Sequence, residues 1–91
     1  MPRPSDSSRP RFAAGCRWGS HGEDRVVLFP EGMIRVEATG LSILELVDGQ
    51  RDVAHIISTL AERYPKADPT KIREDVLSFL EKLHDKRVVD F

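Results

Sequence analysis

The sequence predicts an α+β domain in which an N-terminal three-stranded antiparallel sheet precedes a three-helix bundle, in a winged helix-turn-helix-like order. Three observations predict it. β-branched and aromatic residues in short runs dominate up to Val36, helical periodicity takes over from Thr39, and a four-residue turn, Asp48 to Arg51, joins the first two helical stretches. The 91 residues, 40% hydrophobic and 32% charged, suit one domain, because a second core would have too few residues.

Residues 1–11 are expected to form a flexible N-terminal tail, and residues 12–91 a single domain. The stretch MPRPSDSSRP holds three prolines and three serines with almost no apolar side chain, so burial cannot offset its ordering entropy. Arg3, Arg9, Arg11 and Arg17 make this end basic, as a solvated arm would be. The Cys16–Trp18 run is followed by polar, glycine-containing residues and then by VVLF, Val26 to Phe29. Pro30-Glu31-Gly32 is a turn signal, and Met33 to Val36 reads as the second arm of a hairpin over Val26 to Val36.

Thr39 is placed to cap a first helix that ends at Asp48-Gly49, with Gly40 a weak point in its first turn. Asp52 caps a second helix, Val53 to Tyr64, whose apolar stripe is Val53, Ile56, Ile57, Leu60 and Tyr64. Asp68-Pro69 opens a third, running to about Lys86, with core positions Ile72, Val76, Phe79, Leu80 and Leu83. Val88 to Phe91 is apolar enough to pack back or to add a short strand.

The composition excludes several function classes. A net charge of −1, from 14 basic and 15 acidic residues, provides no global attraction to nucleic acid or an anionic membrane. With one cysteine, Cys16, no internal disulfide forms, and no signal or spanning segment is evident, so the expected location is cytoplasmic. His21, His55 and His84 fall in separate elements without ligand spacing, and no glycine motif cradles phosphate. The expectation is a non-enzyme with no metal and no cofactor. A winged-helix nucleic-acid binder is the alternative reading. Against it, residues Lys71 to Arg87 carry five Lys/Arg and four acids, a poor balance for a recognition helix.

Four signals remain: Phe29-Pro30-Glu31-Gly32, Asp48-Gly49, Tyr64-Pro65 and Asp75-Val76-Leu77-Ser78-Phe79-Leu80. Each is common alone. In this order and spacing, over about Phe12 to Val89, they resemble the PqqD family, the D protein of pyrroloquinoline quinone (PQQ) biosynthesis. The segment Glu37-Ala38-Thr39-Gly40 departs from the family pattern, which has asparagine early and alanine at the position of Gly40. That places the start of the first helix in question.

The resemblance implies a recognition element for ribosomally made, post-translationally modified peptides (RiPPs). Such a peptide chaperone binds the PQQ precursor peptide and presents it to the radical S-adenosylmethionine (SAM) enzyme of the pathway, a PqqE-like partner. The peptide is expected as an added strand beside Met33, Ile34, Arg35 and Val36, over a groove shared with the third helix. Leu77 and Leu80 would line that groove and Arg73 would attract an acidic peptide residue at its rim. The opposite flank of the helix, Lys71, Asp75 and Lys82, is the alternative wall. The same open edge admits pairing with a second copy, a homodimer.

Overall fold

The computed structural model describes residues 3–36 and 38–91. Met1 and Pro2 of the expected tail, and Glu37 of the expected helix start, lie outside the described residues. The elements are β1 (Arg11–Phe12), β2 (Arg17–His21), β3 (Asp24–Phe29), β4 (Gly32–Val36), α1 (Ala38–Leu44), α2 (Val53–Arg63), α3 (Pro69–Asp85) and β5 (Val89–Asp90). A three-stranded antiparallel sheet followed by three helices is the α+β order that the sequence predicts, with β1 and β5 adding a separate two-stranded pair. Among the described residues, no helix is long and apolar enough to cross a membrane.

The main sheet has the order β2-β3-β4, antiparallel throughout. Gly22-Glu23 turns β2 into β3, with Gly22 at φ 63°, where a side chain would be strained. Pro30-Glu31 turns β3 into β4 between the paired residues Phe29 and Gly32. Trp18, Val27 and Ile34 sit side by side across the three strands and so share one face. That face meets the helices: Val27 and Val36 belong to the core, with Trp18 and Ile34 packed against it. The Arg25 guanidinium lies 4.1 Å from the centre of the Trp18 ring, and 3.7 Å from Glu45 just past α1.

α1 is shorter than expected and Thr39 lies inside it. It starts at Ala38, whose φ of 54° turns the chain sharply out of β4. It stops at Leu44 because the next residues tighten: Leu46 and Val47 donate to Ile43 and Leu44, three residues back. The Asp48 carboxylate then accepts from the backbone N–H groups of Gln50 and Arg51, at 2.9 and 3.0 Å. Those donors, the first cause, and the Arg51 guanidinium hold its carboxyl below the usual range.

α2 and α3 begin as the sequence predicts. The side chain of Asp52 accepts from the His55 N–H at 2.8 Å and that of Asp68 from the Thr70 N–H at 2.9 Å, with Pro69 in the first turn. Val53, Ile56 and Leu60 are buried, whereas Tyr64 is at the surface, its hydroxyl 2.8 Å from Ser42 Oγ. β5 pairs with β1, Phe12 opposite Val89, so both ends of the chain close over the bundle.

The N-terminal segment departs from expectation. Composition predicts a flexible tail over residues 1–11, yet residues 3–10 form a strap along α2 and α3, and Arg11 begins β1. The reason is backbone chemistry, which hydrophobic composition does not register. The carbonyls of Ser8 and Asp6 accept from Val53 and Ala54 at 2.9 and 3.0 Å, satisfying N–H groups that the first turn of α2 would leave orphaned. Pro10 accepts from Gly49 at 2.8 Å. Arg3 bridges Glu74 and Glu81 on α3, each at 3.2 Å, and Asp6 meets Arg73 at 2.7 Å. Pro4 and Pro10 are buried.

Deleting residues 1–8 should therefore loosen the start of α2. Loss of two capping hydrogen bonds is worth about 1–2 kcal/mol, or roughly 4–15 °C in Tm for a domain of this size. Amide exchange at Val53 and Ala54 should accelerate; unchanged exchange there would show that the strap is dispensable.

Candidate functional site: an open strand edge above an apolar groove

β4 is an outer strand of the main sheet. Its two-residue turn makes Phe29 and Gly32 a hydrogen-bonded pair, and alternation then makes Val27–Ile34 and Arg25–Val36 bonded pairs. The N–H and C=O groups of Met33 and Arg35 consequently point away from β3, toward the open edge. Side chains follow the opposite logic. Ile34 and Val36 turn inward, while Met33, 48% exposed, and Arg35 stand on the outer face, Arg35 Nε lying 3.2 Å from Asp24.

Beneath this edge a cavity of about 200 Å³ opens between β4, α1 and α3, lined by Ile34, Val36, Gly40, Phe79, Leu83 and Val88 among others. A strand edge with free hydrogen-bonding groups beside a pocket for alternate side chains suits β-augmentation. The four predicted strand residues, Met33 to Val36, are thus brought together at this edge.

The three predicted helix residues are not. Leu77 and Leu80, expected to line the groove, are 5% and 0% exposed and belong to the core. Arg73, expected at the rim, pairs with Asp6 of the strap. The physical reason is the strap itself: its ion-pair partners Arg73, Glu74 and Glu81 surround Leu77 at helical spacings of three and four. A flank covered by the chain's own N-terminal segment does not face β4. The groove wall under β4 is formed by Phe79 and Leu83, and the flank of Asp75 and Lys82 lines an adjoining cavity against α1.

Phe79, expected to be a central core residue, is only half-buried and reaches into the groove. Gly40 is its counterpart across the groove, since a Cβ built there would stand 3.0 Å from the Phe79 ring. The sequence carried a signal for this pair: a glycine in the first turn of a helix marks a close approach as readily as a weak point.

The remaining chemistry is quiet. Burial foremost, then Asp90 and Glu31, push the Cys16 thiol up, opposite to the shift an activated nucleophile needs. Cys16 Sγ lies 3.6 Å from the Arg87 carbonyl. On α3, Arg73 is engaged by Asp6 and Lys71 lies 3.8 Å from Asp75, which lowers the positive charge that the helix offers a phosphate backbone.

The fold and site therefore define a small α+β domain with a paired inner sheet edge, an open outer edge and an apolar groove under it. The family model for coenzyme PQQ synthesis protein D (PqqD) matches residues 24–89, and the chain belongs to this family. The PqqA binding protein of Klebsiella pneumoniae is 48% identical over 72 residues, 77% of this chain and 76% of that protein. That of Pseudomonas aeruginosa is 43% identical over 86 residues, 92% of this chain and 91% of the relative. The solution structure of the PqqD truncation of Methylobacterium extorquens PqqCD, a functional and stand-alone RiPP recognition element, superimposes with a TM-score of 0.77. It is 34% identical, with 96% of this chain and 94% of that one covered. The crystal structure of PqqD from Xanthomonas campestris gives 0.61 at 30% identity, covering 96% and 98%.

Truncations separate core from groove. Leu77→Ala should destabilise the domain by about 2–5 kcal/mol, as buried leucines do. Phe79→Ala should cost less, because part of the ring is already in water. Urea melts of the two variants give the order; a larger loss at Phe79 would return that ring to the core.

Proposed function

We propose that this chain is a peptide chaperone of PQQ biosynthesis, which binds the ribosomally made precursor PqqA and presents it to the radical SAM enzyme of the pathway. One observation carries the reading: the backbone groups of Met33 and Arg35 face an open edge directly above an apolar cavity. Relatives whose names state that they bind PqqA, and a related structure that is a RiPP recognition element, support it.

In this reading residues 12–91 are the peptide-binding domain, and the peptide adds a strand antiparallel or parallel to β4. Backbone pairing supplies affinity and the groove supplies selectivity. The chain has no catalytic part and works in the cytoplasm beside a PqqE-like enzyme. The contacting residues are Met33 to Val36 on the strand and Phe79 on α3. The winged-helix likeness of the topology is then architectural, with the third helix serving as a groove wall. Self-pairing of β4 edges into a homodimer would compete with peptide.

Proline substitution tests the edge. Arg35→Pro removes a donor that faces outward and is tolerable on an outer strand, whereas Val36→Pro removes one that bonds to Arg25. Calorimetry with synthetic PqqA should show Arg35→Pro weakening binding about 5- to 10-fold with little change in Tm, and Val36→Pro lowering Tm. Full affinity in a folded Arg35→Pro protein would refute strand addition. Salt-sensitive retention of duplex DNA, with no PqqA binding, would favour the nucleic-acid reading instead.

A further inference from the structure

The groove does not end under β4. A second cavity of about 270 Å³, lined by Thr39, Gly40, Ile43, Asp75, Phe79 and Lys82 among others, lies along α1 and α3. The two cavities have Gly40 and Phe79 in common. The contact between them is tight: an ideal Cβ at Gly40 would stand 3.0 and 3.1 Å from Cε1 and Cζ of the ring. A methyl at that position would push the ring back by a few tenths of an ångström from its seat on α1.

We propose that the Phe79 ring, seated on Gly40, is a specificity-determining partition that makes this protein read its peptide at two apolar side chains, one on each side of the ring. The proposal rests on the peptide-binding reading above and names what the peptide must carry. The occupant of the outer cavity is the stretch of the same peptide that runs on past Val36.

Continuity of the two surfaces carries the argument. β4 ends at Val36, and at Ala38 the chain turns through φ 54° into α1. A strand paired to the edge therefore loses its backbone partners there, and its next residues come to lie over the first turn of α1. Their hydrogen bonds end while an apolar surface begins, so side-chain burial becomes the main source of further affinity. The inner cavity takes an apolar side chain from the paired part of the peptide, and the outer cavity one from the continuing part. Asp75 and Lys82 place both signs of charge at the outer rim, which suits polar residues flanking the second apolar one.

The test uses the full chain, calorimetry, and synthetic PqqA from Pseudomonas aeruginosa with each apolar residue replaced in turn by alanine. Two separated apolar positions should each weaken binding about tenfold or more when truncated, as buried interface side chains do. Gly40→Ala adds one methyl that the ring must move to accommodate, so the ratio of the two penalties should change by at least about threefold. Phe79→Leu keeps an apolar side chain but removes the flat partition, and both penalties should fall. Amide spectra verify the fold of each variant, and Phe79→Leu stands as the test if Gly40→Ala does not fold. A single sensitive position in the wild type would overturn the partition, as would unchanged penalties in folded variants. Failure of the wild type to bind PqqA at all would instead overturn the peptide reading beneath it.

Discussion

A strand can keep one edge open in water only if its other edge is paired and its inward side chains are held, and β4 satisfies both conditions narrowly. Five register pairs bind it to β3, and Val36 and Ile34 fix it to the helices. Among the described residues, the remaining backbone groups of Met33 and Arg35 have no partner strand. An exposed edge of this kind usually invites association. Here it is short, with Arg35 on the outer face and the sharp turn at Ala38 at one end, features that limit uncontrolled pairing. The groove, the candidate contacts and the reading of the helices all depend on which way that edge points.

The strap settles the other half of the geometry. An amphipathic third helix offers two flanks beside its core stripe, and either is chemically suited to wall a groove. With residues 3–10 on the flank of Arg73, Glu74 and Glu81, the α3 side chains that share a cavity with β4 are Phe79 and Leu83, while Asp75 and Lys82 line the adjoining surface against α1. The exposed ion pairs of the strap contribute little each. Its hold comes more from the capping of α2 by Ser8 and Asp6 and from the buried prolines, which bring little chain entropy to lose. A segment that looks like a tail by composition thereby covers one flank of α3 and leaves the other open.

Much of the fold was legible because local chemistry and tertiary structure agree. Asp52 and Asp68-Pro69 announce their helices, Pro30-Glu31-Gly32 announces its turn, and the stripe of α2 is buried at Val53, Ile56 and Leu60. The position of β4 at the edge of the sheet was legible for the same reason. What was hidden depended on contacts distant in sequence. Nothing local distinguishes Leu77 from an exposed leucine until Arg3 and Asp6 are known to reach Glu74, Glu81 and Arg73. Phe79 lies within the apolar arc of α3, and only the close approach of Gly40 turns part of its ring toward the groove. The end of α1 was misjudged because Asp48-Gly49 is a strong stop signal, while the three-residue bonds at Leu46 and Val47 have no side-chain signature.

A core this small has consequences for how a ligand acts. Domains under about 100 residues bury a modest fraction of their surface, and each added apolar contact matters more than in a larger protein. On the proposed reading, a bound peptide completes the sheet edge with backbone bonds and fills cavities flanked by Ile34, Val36, Leu83 and Val88, all side chains of the core or packed on it. Recognition and folding then draw on the same contacts, so any ligand that binds the native state alone stabilises it in proportion to its occupancy. Backbone pairing makes the outer strand tolerant of peptide sequence, because every residue except proline supplies the same groups. On the same reading, selectivity is left to the few positions where a peptide side chain enters the groove between β4, α1 and α3. In this protein that narrow passage is built from an absent side chain, at Gly40, and a flat one, at Phe79.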